Sequence, residues 1–105
     1  MNRRKMNKPQ HPGVFLKDVI RTIPMTGRAF ADHVEISRVA LSRILNAKAK
    51  VTAAMSIKIS QAFGQKQGDH WFKLQTEYDF ARAAHLAKKR KKIGRLRMRK
   101  AMKLQ

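Results

Sequence analysis

Apolar residues along this chain recur at intervals of three and four, the period of an α-helix, in runs set apart by cap and turn residues. Beyond the first ten residues, His11-Pro12-Gly13 reads as a turn. Val14, Phe15, Leu16, Val19, Ile20 and Ile23 then make a short amphipathic helix that Pro24 closes. Thr26 offers an N-cap hydroxyl to a second helix, in which Phe30, Ala31 and Val34 share a face. Ser37 caps a third, with Leu41, Ile44 and Leu45 as its apolar stripe and Ile36 filling the gap between the two. Thr52 opens a fourth helix carrying Met55, Ile59, Ala62 and Phe63, and Gly64 stands where a helix-ending glycine belongs. After the linker Gln65-Lys66-Gln67-Gly68, Asp69 is the expected N-cap of a fifth helix. Its stripe is Trp71, Leu74, Tyr78 and Ala81, and no stop signal appears before Gly94. The expectation is an all-α fold of five helices.

The second and third helices start so close together that only a hairpin of short helices fits between them. Turning Leu41, Ile44 and Leu45 inward at about 100° per residue sends Val39, Ser42, Arg43 and Asn46 to the opposite face, with Arg38 on its flank. Cations, hydrogen-bonding groups and one exposed methyl-bearing side chain suit a DNA major groove. There arginine can bond guanine O6 and N7 together, and an apolar side chain can touch a thymine methyl. The pattern is that of a helix-turn-helix. It gives Arg38 and Arg43 base-edge roles and Val39 a thymine-methyl role. Ser37, Asn46, Lys48 and Lys50, at the ends of the reading helix, are the candidates for holding phosphates and setting register. Thr26 and Arg28, at the start of the preceding helix, are candidates for the same task, helped by the exposed amides there.

Charge refines this picture by its distribution. The chain of 105 residues carries 25 Lys/Arg against 6 Asp/Glu, a net charge of +19 and a pI near 11.6, which suggests a polyanionic partner. Arg3, Arg4, Lys5 and Lys8 lie in the first eight residues. A further run, from Lys88-Lys89-Arg90-Lys91-Lys92 to the end, has no acid in it. The middle of the chain is therefore only mildly basic. The expected organisation is a basic arm over 1–10, a DNA-binding domain over 11–87 and a basic extension over 88–105. That extension reads either as a solvated tail or as a clamp on phosphates that adds affinity without sequence information. Ile93, Leu96, Met98, Ala101, Met102 and Leu104 would let it form a helix on a partner.

There is no cysteine, so disulfides and cysteine-ligated zinc are excluded, and no long apolar or signal-type span is seen. A cytoplasmic protein without a membrane association, bound to the nucleoid when on DNA, is expected. His11, His33, His70 and His85 are scattered without the pairing of a metal site. No phosphate-binding glycine loop, close carboxylate pair or Ser/His/Asp set stands out. Neither an enzyme nor a metal or other cofactor is expected. The last helix carries more aromatic surface than a core of this size needs, which suggests a partner surface. Trp71 and Leu74 serve equally well in a core or an interface, while Tyr78 and Phe80 read more as interface.

These residues resemble a known family. His11-Pro12-Gly13, Ile36-Ser37-Arg38 with Leu41-Ser42-Arg43-Ile44-Leu45-Asn46, Thr52, and Trp71-Phe72-Lys73-Leu74-Gln75-Thr76-Glu77-Tyr78-Asp79 look like the HigA antitoxins, within the lambda-repressor-like (Xre) helix-turn-helix class. The match runs over about residues 11–82. It implies a lambda-repressor-like domain of five helices and a homodimer on a palindromic double-stranded operator. It also implies repression of the protein's own operon and neutralisation of a RelE-like toxin that cleaves messenger RNA. By position it puts Arg38, Val39, Ser42 and Arg43 on base edges and the dimer contacts at Trp71, Leu74 and Tyr78. The chain departs from the family in several places. Glu35 and Ala47 stand where glycine is usual, Gly27 where a phosphate-binding glutamine is common, and His70 and Phe72 differ from the usual Phe-Trp-Leu. The basic extension is no part of the pattern. Two other readings compete: a free-standing phage or plasmid regulator without a toxin, and a non-specific cationic protein that binds RNA or a membrane.

Overall fold

The computed structural model describes residues 8–99. The expected roles of Arg3, Arg4 and Lys5 in the arm, and of Ala101, Met102 and Leu104 in the extension, lie outside the described residues. Five helices follow one another: α1 (Pro12–Arg21), α2 (Gly27–His33), α3 (Arg38–Leu45), α4 (Ala53–Ala62) and α5 (His70–Lys88), with no strand among the described residues. The caps expected at Thr26, Ser37 and Thr52 are all made. Each hydroxyl accepts from the backbone N–H three residues on, at 3.0, 3.0 and 3.2 Å. Leu16, Ile20, Phe30, Ala31, Val34, Ile36, Leu41, Ile44, Val51, Ile59 and Trp71 form one buried cluster, with Ile36 plugging the α2–α3 turn as its sequence position suggested. Phe63 lies against this core, stacked on Phe30 at 5.5 Å and tilted against Trp71 at 6.1 Å.

Four local expectations are corrected. His11-Pro12-Gly13 begins α1 rather than forming a separate turn. Proline at the first helical position has no N–H to leave unpaired, and His11 Nδ1 accepts from Gly13 N at 2.9 Å as the cap. On α1 only Leu16 and Ile20 are fully in the core, and Val14 and Phe15 are exposed, because six apolar residues cover a wider arc than one face can bury. On α4 Ala62 is exposed, whereas Ser56 and Ser60 are buried. The fifth helix stops at Lys88, six residues short of Gly94. From there five consecutive cations repel one another along the helix and no core remains to pack against.

The buried serines explain how α5 starts. Asp69 precedes the helix but makes no side-chain cap; its carboxylate faces Lys73 at 3.6 Å. Ser56 of α4 takes over. Its Oγ accepts from Phe72 N at 3.0 Å and donates to Gly68 O at 2.6 Å, so the cap comes from a neighbouring helix and ties α4 to α5. Ser56→Ala leaves a part-buried amide without a partner. It is expected to cost about 1–3 kcal/mol in urea unfolding, and Asp69→Ala within about 0.5 kcal/mol. The reverse order would return the cap to Asp69.

Candidate nucleic-acid interface

The α2–α3 hairpin is held by backbone geometry at the end of each of its helices. At the end of α2, Ile36 N donates to Ala31 O and Glu35 N to Asp32 O. At the end of α3, Lys48 N donates to Arg43 O and Ala47 N to Ile44 O. This paired arrangement needs a left-handed residue just past the helix. Glu35 (φ 58°) and Ala47 (φ 59°) supply it, as Gly64 (φ 70°) does after α4. The turn therefore keeps the shape that glycine usually provides, and two side-chain-bearing residues take the strain, of order 1–2 kcal/mol each. Glu35→Gly and Ala47→Gly are each expected to raise stability by about 0.5–1 kcal/mol in thermal or chemical unfolding, part of the relieved strain being offset by glycine's larger entropy loss. A loss of stability would show that these side chains do more than tolerate the conformation.

The base-edge candidates share the outer face of α3. Val39 is 71% exposed, and Arg38, Ser42 and Arg43 are exposed beside it, while Leu41 and Ile44 point into the core. Both arginines are held by the protein itself. Arg38 Nη2 lies 3.2 Å from Asp32 Oδ2 of α2, and Arg43 Nη2 donates to Lys48 O at 2.9 Å. Holding a long side chain in one orientation lowers the entropy cost of docking it. Asn46 Nδ2 donates to Ser42 O at 2.9 Å and so finishes the helix.

The phosphate candidates are less uniform. Thr26 and Ser37 are exposed but their hydroxyls already serve as caps. Arg28 and Lys48 are exposed cations, at the start of α2 and in the loop after α3. Lys50 Nζ pairs with Asp79 Oδ2 of α5 at 3.3 Å. At Gly27 an added Cβ would meet nothing within 4 Å, so space does not demand glycine there.

The motif on α5 faces inward. Trp71 is 3% exposed, with its indole N–H donating to Gln65 Oε1 at 2.9 Å, so this interface candidate belongs to the core and has little surface left for a partner. Leu74 is half-buried beside Phe15 and Val19, in an open groove of about 510 Å³. Tyr78 is half-buried with its ring edge-on to His11 at 5.2 Å and Arg82 over its face at 5.5 Å; Phe80, by contrast, is 73% exposed.

Sequence reasoning missed the residues that anchor the loop after α3. Gln75 is buried; its Oε1 accepts from Val51 N at 2.9 Å and its Nε2 donates to Asp79 at 3.0 Å. His11, buried against Tyr78, pairs its Nε2 with Ala49 O at 2.9 Å. With Lys50–Asp79, these contacts fasten the 46–51 loop to both α1 and α5. Gly13 completes the support, since a Cβ there would stand 1.9 Å from Ile44 O. A signal existed: Trp71, Gln75, Tyr78 and Asp79 recur at helical spacing, and a polar residue on that face needs a buried partner.

No protein-family model matches the chain. Among proteins of known description, virulence-associated protein A of Dichelobacter nodosus is 32% identical over 91 residues, covering 85% of this chain and 89% of that protein. An HTH-type transcriptional regulator of Escherichia coli, YddM, is 32% identical over 79 residues, covering 75% of this chain and 83% of the regulator. The antitoxin HigA of Pseudomonas aeruginosa, solved with the higBA promoter, superposes with a TM-score of 0.71 at 27% identity over 77% of this chain and 88% of its own. The chain belongs to the HigA family of helix-turn-helix proteins. This HigA-family chain is all-α and lambda-repressor-like, and it carries the DNA-binding antitoxin fold. The functions named among such relatives are regulatory rather than enzymatic. The base-edge candidates are exposed on the outer face of α3, and Gln75 and Asp79 of α5 hold the loop that follows it. Among the described residues no helix is long and apolar enough to cross a membrane, and no group of three or more His, Asp or Glu is placed to hold a metal ion.

Proposed function

We propose that this HigA-family protein is an antitoxin-type repressor that binds the operator of its own operon as a homodimer and neutralises a RelE-like toxin. The observation that carries the reading is the outer face of α3. Arg38, Val39, Ser42 and Arg43 stand together, exposed, on a fold that a relative uses with its promoter bound. Direct base readout falls to these four, and phosphate contacts to Thr26, Arg28, Ser37, Asn46, Lys48 and Lys50. Asp79 would have to share Lys50 with a phosphate. Residues 11–87 form the DNA-binding unit, between a basic arm over 1–10 and a basic tail over 88–105. Leu74 and Tyr78, with the apolar groove that Phe15 and Val19 share with Leu74, supply the surface for the second copy. A free-standing regulator is the second reading, favoured by the likeness to the E. coli transcriptional regulator.

Nuclease protection of the DNA upstream of the protein's own coding sequence tests the operator claim. Two protected half-sites about 34–36 Å apart centre to centre, related by a twofold axis, are expected. Uniform protection that a scrambled duplex matches would refute it. Co-expression with the adjacent reading frame separates the two regulatory readings. Rescue of growth and co-purification of a small basic toxin support the antitoxin, and the absence of such a frame supports the free-standing regulator.

A further inference from the structure

The segment beyond α5 is the largest feature that the operator reading leaves unused. Eight of the twelve residues 88–99 are Lys or Arg, none is acidic, and every one of the twelve is exposed. No ion pair among the described residues engages these cations. The remaining acids of the domain are few, and Asp18, Asp32, Asp69 and Asp79 already face partners of their own.

The origin of the segment matters as much as its charge. Lys50 to Asp79, at 3.3 Å, and Val51 to Gln75, at 2.9 Å, lay the middle of α5 against the loop that follows the reading helix. From Asp79 the helix runs on to its end at Lys88, a rise of roughly 14 Å. The described residues beyond it, 89–99, can span at most about 36–40 Å when extended, about one turn of duplex. Ile93, Leu96 and Met98 are interleaved with Arg95, Arg97 and Arg99, so no continuous apolar face of the kind that lies in a membrane surface is available.

We propose that residues 88–99 form a flanking-DNA arm, which contacts phosphates of the duplex next to the segment covered by α3, within about one helical turn of it. The arm rests on the operator-binding reading, and it adds affinity without base discrimination. Each phosphate it neutralises steepens the dependence of log K on log salt by about 0.9.

The test uses the full chain and a five-fold variant, Lys88→Gln, Lys89→Gln, Arg90→Gln, Lys91→Gln and Lys92→Gln. These side chains are exposed and outside the core, and unchanged circular dichroism checks the fold. Both proteins are titrated over a range of salt with duplexes that either end at the footprint or extend about ten base pairs beyond it on each side. Random-sequence duplexes of the same two lengths are run alongside. The wild type is expected to bind the longer duplex of each kind about tenfold more tightly at low salt. The variant should lose that length advantage, show a salt slope lower by about 2–4, and keep the wild type's ratio of operator to random affinity. Equal slopes and equal length dependence for the two proteins overturn the arm. So does a variant that loses binding only to phosphatidylglycerol vesicles or to single-stranded RNA. A wild type with no preference for operator over random DNA overturns the operator reading instead, and the random duplexes still decide the arm.

Discussion

Gly13→Ala is expected to destabilise the domain by about 3 kcal/mol or more in chemical unfolding. Helix propensity predicts the opposite sign, since alanine is favoured over glycine inside a helix by about 1 kcal/mol. Steric contact decides the balance. The new Cβ would stand 1.9 Å from the carbonyl oxygen and 2.8 Å from the carbonyl carbon of Ile44, and 3.1 Å from His11 Nδ1. The first two are backbone atoms, so relief requires shifting the end of α3 or the start of α1, and overpacking of that kind costs 1–3 kcal/mol, occasionally more. Ile44 belongs to α3, the proposed reading helix, so any fraction that still folds should also bind operator DNA less well. A change below about 0.5 kcal/mol would contradict the close approach of α1 to α3.

Arg43→Ala is expected to weaken binding to the specific site by about 1–3 kcal/mol and to relax the preference at one base position in each half-site. Random DNA should lose much less. Stability should change by under about 1 kcal/mol, because the guanidinium of Arg43 is tied to the rest of the protein by an exposed hydrogen bond to Lys48 O. Equal losses on specific and random DNA would remove Arg43 from the base-reading set and make it a phosphate contact.

The elements that depend on local chemistry were legible in the chain. Thr26, Ser37 and Thr52 cap their helices through their own hydroxyls, and Gly64 ends α4 by its own conformational freedom, so each could be read without the rest of the fold. The outward face of α3 followed from the same logic, because burying Leu41 and Ile44 fixes where Val39 and Ser42 must point. What could not be read depends on a second element. The cap of α5 comes from Ser56, sixteen positions away, and not from the neighbouring Asp69. Gly13 is required by a carbonyl on another helix, and Gln75 serves a loop amide across the fold. The α5 motif pointed toward a partner only while its internal contacts were unknown. Once Trp71 bonds Gln65 and Tyr78 meets His11, much of that aromatic surface is consumed within one chain. Glu35 falls between the two cases. The sequence marked a residue poorly suited to its turn, and the backbone adopts the left-handed conformation nonetheless.

The proposed reading thus assigns sequence discrimination and bulk affinity to different parts of the molecule, the first to α3 and the second to the exposed cations from Lys88 onward. Selection of bound duplexes from a random pool, at one stated salt concentration, tests this division most directly. Wild type should enrich a twofold-symmetric site with half-sites 10–10.5 base pairs apart, and Arg43→Ala should enrich the same site with one position per half relaxed. A pool that shows no common sequence after repeated rounds would contradict the account.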